Sequence, residues 1–267
     1  MRSVAQLMSL KNRVALITGG AGHLGAAMAG ALAEAGATTA ILDIDSAACN
    51  RLAEYLKAEY GTCSLPIPVD LNNTDQLVQV PGQVVRELGS LDILVNTAAL
   101  VGTSQLDGWS TSFENQNIDT WRKALEVNLT AAFAITQAAV PHLRTSGHGS
   151  IVNIGSIYGL VGPDWQLYEG TSLGNPAAYA ASKGGLLQLT RWLATTLAPK
   201  IRVNSITPGG IFRNQTDPFH KRYLERTPLL RMGTEEDFKG AVVYLASDLS
   251  AYVTGHNLVV DGGWTAW

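Results

Sequence analysis

Short apolar and β-branched runs recur along the chain at 14–18, 39–42, 64–69, 93–96, 150–154, 201–206 and 258–260. Between most of them the apolar positions repeat with a helical period, over 24–35, 47–59, 75–88, 120–143 and 176–197. Strand–helix alternation of this kind predicts βαβ units. The expected architecture is α/β and doubly wound, a seven-stranded parallel sheet with helices on both faces. No internal repeat or low-complexity linker interrupts the runs, so one domain over 10–267 follows an extension at 1–9. Two stretches break the rhythm, 159–175 and 213–227. Each follows the C-terminal end of a predicted strand, where ligands collect in open parallel sheets. They are candidate substrate segments, or else tolerated surface insertions.

Composition excludes several functions. With 46% hydrophobic content in 267 residues, the chain can bury one large core. Charged residues make up 15%, below the ordinary share of about 25%, which argues against disorder and for surface covered by other subunits. A net charge of −3 gives no electrostatic case for nucleic acid or an anionic membrane. Cys49 and Cys63 form no CxxC pair, so neither a disulfide framework nor a metal site is expected. With no apolar run long enough to span a bilayer and no cleavable leader pattern, the expected location is the cytoplasm.

Candidate chemistry begins at the first strand. It runs into Gly19-Gly20-Ala21-Gly22-His23-Leu24-Gly25 and then an Ala-rich helix. Glycines permit a sharp turn whose backbone N–H groups, with the helix N-terminus, face a pyrophosphate. The second strand ends at Asp43, where a carboxylate accepts hydrogen bonds from ribose hydroxyls and repels a 2′-phosphate. No Arg or Lys stands near to hold such a phosphate, so NAD is expected over NADP. Asp43 could instead cap the following helix, although Asp45 and Ser46 are better placed for that. Asp70, ending the third strand, is set to contact the adenine amino group.

A second centre lies at Tyr179-Ala-Ala-Ser-Lys183, whose spacing stacks tyrosine and lysine on one helix face. A cation beside a phenol favours phenolate, and moving a tyrosine from about 10 to about 7 takes roughly 4 kcal/mol. The same spacing arises on a surface helix with a solvated lysine, so the rest of the chain must decide.

Taken in order, the glycine turn, Asn96-Thr97-Ala98-Ala99, Ser156 and Tyr179–Lys183 resemble the short-chain dehydrogenase/reductase family. The likeness extends over roughly 10–267, through Pro228-Leu-Leu-Arg-Met-Gly233, Tyr252-Val-Thr-Gly255 and Val260-Asp-Gly-Gly263. It implies a Rossmann-fold, NAD(P)-dependent oxidoreductase of CH–OH groups that needs no metal and assembles as a homotetramer or homodimer. It implies that Ser156 hydrogen-bonds the substrate oxygen and that Tyr179 is the general acid/base. Lys183 would lower the tyrosine pKa and bind the nicotinamide ribose, and Asn128 would support a proton-relay water. The implied cofactor wall comprises Gly19, Gly22, His23, Leu24 and Gly25, then Leu71, Asn96 and Ala98. Pro208, Gly209 and Ile211 complete it. Ser156 could otherwise only cap a strand end, and Ser182 is a neighbouring hydroxyl.

The chain also departs from the family pattern. His23 stands where shorter members place glycine, a spacing that resembles the longer, sugar-nucleotide-modifying branch; it faces the phosphates or simply starts a helix. Arg213 occupies the position of a threonine expected after Pro208-Gly209. The interval from Ser156 to Tyr179 is long and carries Tyr158, Asp164, Trp165, Gln166, Tyr168 and Glu169. The later stretch holds Arg213, Asn214, Lys221, Arg222 and Arg226, which suggests an anionic ligand unless they line an exposed helix face. Together with Tyr158, Trp165 and Tyr168, they point to a phosphorylated, acidic or nucleotide-linked sugar. The runs 168–179 and 209–214 look like those of dehydrogenases from bacterial surface-sugar and flagellin-modification clusters. The aromatic end, Trp264-Thr-Ala-Trp267, would pack on a neighbour or fray. Two other readings stay open: an isomerase or epimerase with tightly held NAD, and a non-catalytic dinucleotide-binding sensor or scaffold.

Overall fold

Seven strands pair in parallel: β1 (Val14–Thr18), β2 (Thr38–Asp43), β3 (Ser64–Pro68), β4 (Ile93–Asn96), β5 (Gly149–Ile154), β6 (Ile201–Pro208) and β7 (Asn257–Val260). Their order is β3-β2-β1-β4-β5-β6-β7. The computed structural model describes residues 1–102, 104–215 and 217–267. Its helices are α1 (Val4–Met8), α2 (His23–Glu34), α3 (Ser46–Tyr60), α4 (Thr74–Leu77), α5 (Val80–Leu88), α6 (Ile118–Leu125), α7 (Ala131–Ser146), α8 (Ala177–Leu197), α9 (Phe219–Arg226) and α10 (Lys239–Ala246). No helix among the described residues is long and apolar enough to cross a membrane.

The central strands are apolar at nearly every position because helices cover both faces. Successive side chains alternate between two cores. Ile17, Ile41 and Val95 pack with Met28 and Leu32 of α2, Leu56 of α3 and Leu245 of α10. Leu16, Leu42 and Leu94 pack with Val84 of α5, Ile135 of α7 and Leu193 of α8 on the other face. The strand order reverses between β1 and β4, so the C-terminal ends of β1, β2, β4, β5 and β6 open on one edge at a topological switch point.

Three helical details differ from the sequence expectation. The segment 75–88 is two helices, because α5 restarts on Val80-Pro81 and proline belongs in a first turn. The segment 120–143 is interrupted by a π-helical turn at Glu126–Thr130 that joins α6 to α7. Helices α1 and α10 were not foreseen, and α9 takes the helical alternative considered for the basic stretch. Helix α1 rests on a Ser3–Gln6 capping box rather than an apolar stripe, and no residue in it is buried. Helix α10 is apolar almost all round and too short to display a period.

Candidate active site

Backbone contact builds the first part of the site. Thr18 Oγ1 accepts hydrogen bonds from Thr97 N (3.2 Å) and Ala98 N (3.4 Å), tying the exits of β1 and β4 together. Gly19 follows in the left-handed region (φ +61°), and a Cβ there would lie 2.7 Å from Ala98 Cα. A Cβ on Gly25 would lie 2.1 Å from Gly19 O. The turn therefore presses directly on the start of α2, where only glycine fits. Gly22 caps α2 without a side-chain acceptor, so that helix end has no side-chain acceptor of its own for an orphan N–H. His23 starts α2 and is exposed.

Asp43 extends the cradle. Its carboxylate accepts from Ala21 N in the turn (3.2 Å) and from Asp45 N (3.3 Å). The capping of α3 falls to Asp45, which accepts from Ala48 N at 2.9 Å, leaving Asp43 at the mouth of the turn. Asp70 is exposed and accepts from Asn72 N (2.9 Å) and Asn72 Nδ2 (2.8 Å), a local turn that already accounts for its presence. Leu71, Asn96 and Ala98 line a narrow cavity beside Thr18 and Asn128. Asn96 Nδ2 donates to Asn153 Oδ1 (2.8 Å) and Thr136 Oγ1 (3.4 Å). Asn96 Oδ1 and Thr97 Oγ1 are buried with no partner. An uncapped helix start, a cradle closed to any Cβ and unpartnered polar atoms at one edge fit a dinucleotide. Beyond them Gly209 N donates to Val260 O (3.0 Å), and Ile211 bridges to Gly233, placing Pro208–Ile211 at the end of β6.

Ser156, Tyr179 and Lys183 form the second part of the candidate site. Ser156 follows β5, is 5% exposed, and its Oγ accepts from Tyr158 N at 3.2 Å, which leaves the hydroxyl proton to donate elsewhere. Tyr179 and Lys183 project from α8. Lys183 is 2% exposed and Nζ donates to Ile154 O at 2.7 Å, 5.9 Å from the centre of the Tyr179 ring. Burial raises the phenol above its ordinary value, with the Ser156 hydroxyl pulling the other way. Burial also lowers Lys183 to about 8. The expected lysine-driven lowering of Tyr179 is thus absent here. Desolvation penalises both charged forms, and the ammonium is turned to a carbonyl.

Asn128 lies in the π-helical turn and is 1% exposed. Its Oδ1 accepts from Leu100 N (2.7 Å), and Nδ2 donates to Leu100 O (3.0 Å) and Ser182 Oγ (3.1 Å). Ser182 Oγ donates in turn to Tyr179 O at 2.9 Å. Ser182 thus links Asn128 to the catalytic helix and takes no place in the cleft.

The two segments expected to meet substrate pack against each other. Tyr158 and Tyr168 share a hydrogen bond between their hydroxyls, 2.5 Å apart. Around them Ile157, Leu167, Phe219, Tyr223 and Trp264 form a separate apolar cluster. Trp264 is therefore internal, stacked on Tyr223, rather than frayed or turned to a neighbour. Trp165 is exposed and rests on Tyr168. Three of the basic residues of 213–227 are engaged within the protein. Arg213 pairs with Glu235 at 2.5 Å, Arg226 pairs with Asp164 at 3.0 Å and lies over Trp264, and Arg222 donates to the carbonyls of Gln166 and Glu169. Arg222 and Arg226 bind one insertion to the other, so these two arginines already have partners within the protein. Asn214 is exposed in a left-handed conformation (φ +57°).

A third wall was missed. Between β4 and α6, Trp109 is buried with Nε1 donating to Val101 O (2.8 Å). Gln116 Oε1 accepts from Ala177 N (3.1 Å) at the start of α8. Leu100, Leu106, Trp109 and Trp121 pack against Ala178 and Tyr179. The available signal was a run rich in Ser, Thr and Gly between residues 102 and 112, with no apolar period.

Comparison with known proteins agrees with this geometry. A family model described as enoyl-(acyl carrier protein) reductase matches residues 19–265. The trans-4-hydroxycyclohexanecarboxylate dehydrogenase of Sinomonas cyclohexanicum is 37% identical over 95% of this chain and 93% of its own. The sorbose reductase of Schizosaccharomyces pombe is 32% identical over 98% and 99%. A short-chain type dehydrogenase/reductase from Mycobacterium marinum superposes with TM-score 0.87 at 32% identity, each chain covered fully. A gluconate 5-dehydrogenase from Burkholderia cenocepacia, in complex with NADP and tartrate, superposes with TM-score 0.88 at 29% identity, over 99% of this chain and 100% of the other. With a nucleotide cradle at the switch point and a serine, tyrosine and lysine beside it, this chain belongs to the short-chain dehydrogenase/reductase family.

Proposed function

We propose that the protein is an NAD-dependent dehydrogenase of a secondary alcohol carried on a hydroxylated ring or sugar, working in reverse on the corresponding ketone. The observation that carries this reading is the meeting of Ser156, Tyr179 and Lys183 at the sheet edge that also holds the glycine turn.

The glycine turn, Asp43 and Asn96 would hold a nicotinamide dinucleotide, which would supply a hydride acceptor for the carbinol carbon. The chain's own residues handle the proton and the charge. The Ser156 hydroxyl, held by Tyr158 N, donates to the substrate oxygen. The Tyr179 phenolate accepts the hydroxyl proton as the carbonyl forms, and the resulting phenol returns it in reduction. Lys183 supplies a proton-bearing group beneath the tyrosine whose lowered pKa lets it exchange protons near pH 8. Asn128, through Leu100 and Ser182, fixes the spacing between the missed wall and α8.

Asp43 supports NAD over NADP, since its carboxylate at the turn would face a 2′-phosphate with no basic residue in hydrogen-bond contact. The substrate class draws on the relatives named for a hydroxycyclohexane acid and for sorbose. It also draws on the paired phenols of Tyr158 and Tyr168 in the segment that follows Ser156. Assembly as a homotetramer or homodimer is part of the proposal. The test is reduction of NAD and of NADP at 340 nm with sugars, polyols and ring alcohols. Turnover with NAD and a polyhydroxylated alcohol is the expected result. Turnover confined to NADP, or none with any alcohol, overturns the reading.

A further inference from the structure

Five asparagines are buried among the described residues: Asn96, Asn128, Asn153, Asn175 and Asn204. Asn128 uses both ends of its carboxamide on Leu100 and Ser182. Asn153 accepts from Asn96 and donates to Thr190, and Asn204 donates to Val253 O while accepting from His256 N. Asn96 keeps one end paired. Asn175 differs. It is 6% exposed, and neither Nδ2 nor Oδ1 has a hydrogen-bond partner.

The ordinary task of an asparagine ahead of a helix is to cap it, and Asn175 lies two residues before α8. It does not do so. No side chain at that N-cap takes a bond, and the Ala177 N–H goes to Gln116 Oε1 from the facing segment. Packing alone does not explain the residue either, because an apolar side chain of equal size would fill the space without burying two polar groups. Unsatisfied groups of this kind cluster where function, rather than stability, selects the residue. Asn175 stands four positions before Tyr179. The wall formed by residues 100–102 and 104–117 covers this corner: a Cβ on Gly102 would come 3.2 Å from Gly174 O, and one on Gly174 would meet Ser110 at 3.4 Å.

We propose that Asn175 is a specificity-determining residue whose carboxamide pairs with a second hydroxyl of the substrate, other than the one Tyr179 deprotonates. A hydroxyl is the group that matches, since it donates to Oδ1 and accepts from Nδ2. A carboxylate or ketone only accepts and would leave Oδ1 unpaired. Pairing requires Gly102 and Ser110 of that wall to part from Gly174 as substrate enters. The inference rests on the dehydrogenase reading and deepens it: the substrate is a diol or polyol.

The test uses the full-length protein and its Asn175→Leu and Asn175→Ala variants, with kcat and KM measured on a hexitol, on a cyclohexanediol and on cyclohexanol. The expected result is a loss of about tenfold in kcat/KM on the polyhydroxylated substrates, mostly in KM. Cyclohexanol turnover stays unchanged, and the leucine variant melts no lower than the parent. Equal losses on all three alcohols, or a fall in melting temperature for the leucine variant, would assign Asn175 to packing and overturn the proposal. If the parent oxidises none of the alcohols, the dehydrogenase reading fails and takes this inference with it. If the parent prefers polyols and the variants keep that preference, Asn175 alone is wrong.

Discussion

Lys183 holds its ammonium 5.9 Å from the centre of the Tyr179 ring and gives its hydrogen bond to the Ile154 carbonyl at the end of β5. The two residues are bound into one helix face by sequence, yet the lysine is anchored to the sheet. Because the anchor is a neutral carbonyl, burial is not offset by an opposite charge, and Lys183 falls to about 8 while Tyr179 rises.

Tyr179→Phe removes the proton acceptor and leaves the glycine turn untouched. Turnover should fall by about 10²–10⁴-fold while NADH affinity, followed by fluorescence titration, changes less than threefold. In the parent, the raised phenol should make alcohol oxidation climb with pH above neutrality. An oxidation rate that declines over that range contradicts this proton acceptor.

Lys183→Met should inactivate the protein yet stabilise it at pH 7. Lys183 has a folded pKa of about 8, depressed from 10.5, so the unfolded chain binds more protons between those values. Its stability contribution is present above pH 10.5 and lost as pH falls through 8. The variant's advantage, of order 3 kcal/mol at most, should be fullest below pH 8 and vanish toward pH 10.5. Denaturant melts of both proteins at pH 7, 9 and 10.5 check this, the raised tyrosines cancelling in the difference.

Asp43→Ala removes the carboxylate that faces the ribose. Hydrogen bonds to a charged group contribute about 1.5–3 kcal/mol, so the preference for NAD over NADP should shrink by at least tenfold in kcat/KM. A parent enzyme that already prefers NADP would refute the role of Asp43.

Asn128→Ala leaves Leu100 N, Leu100 O and Ser182 Oγ without their partner in the interior. Each buried group left unsatisfied costs about 1–3 kcal/mol, so the melting temperature should drop by more than about 4 °C. Activity should fall further than the stability loss explains, because Leu100 belongs to the wall packed on Tyr179. Calorimetry beside assays well below the midpoint separates the two effects.

Arg226→Gln breaks the pair with Asp164 across the two insertions and uncovers Trp264. Its effect should appear in KM rather than kcat, and equally for charged and neutral substrates. A loss confined to anionic substrates would restore the reading of these arginines as ligands.

Much of the frame was legible beforehand. Strands and glycine turn are local: β1 reads as Val14-Ala-Leu-Ile-Thr18 whatever surrounds it, and Gly25 is required by a backbone contact six residues away. Asp43 could be separated from a capping role because Asp45 stood two residues on, and the structure has Asp45 as the cap. The π-helical turn at Asn128 escaped because it satisfies the same apolar period as an uninterrupted helix. The wall at 100–102 and 104–117 escaped because its order comes from Trp109, Gln116 and Asn128 acting across the chain, not from local period.

By itself, then, the sequence determined the strand–helix order and the nucleotide turn, since these depend on periodicity and on backbone geometry within a few residues. Ser156, Tyr179 and Lys183 were singled out by their resemblance to a family motif. The tertiary structure decided what the charges and amides do. Arg226 meets Asp164 from 62 positions away, Arg213 meets Glu235, Lys183 loses its solvent, and Asn175 is buried without a partner. Charge and hydrogen-bonding capacity are set by burial and by partners brought together only on folding, and no local pattern encodes either.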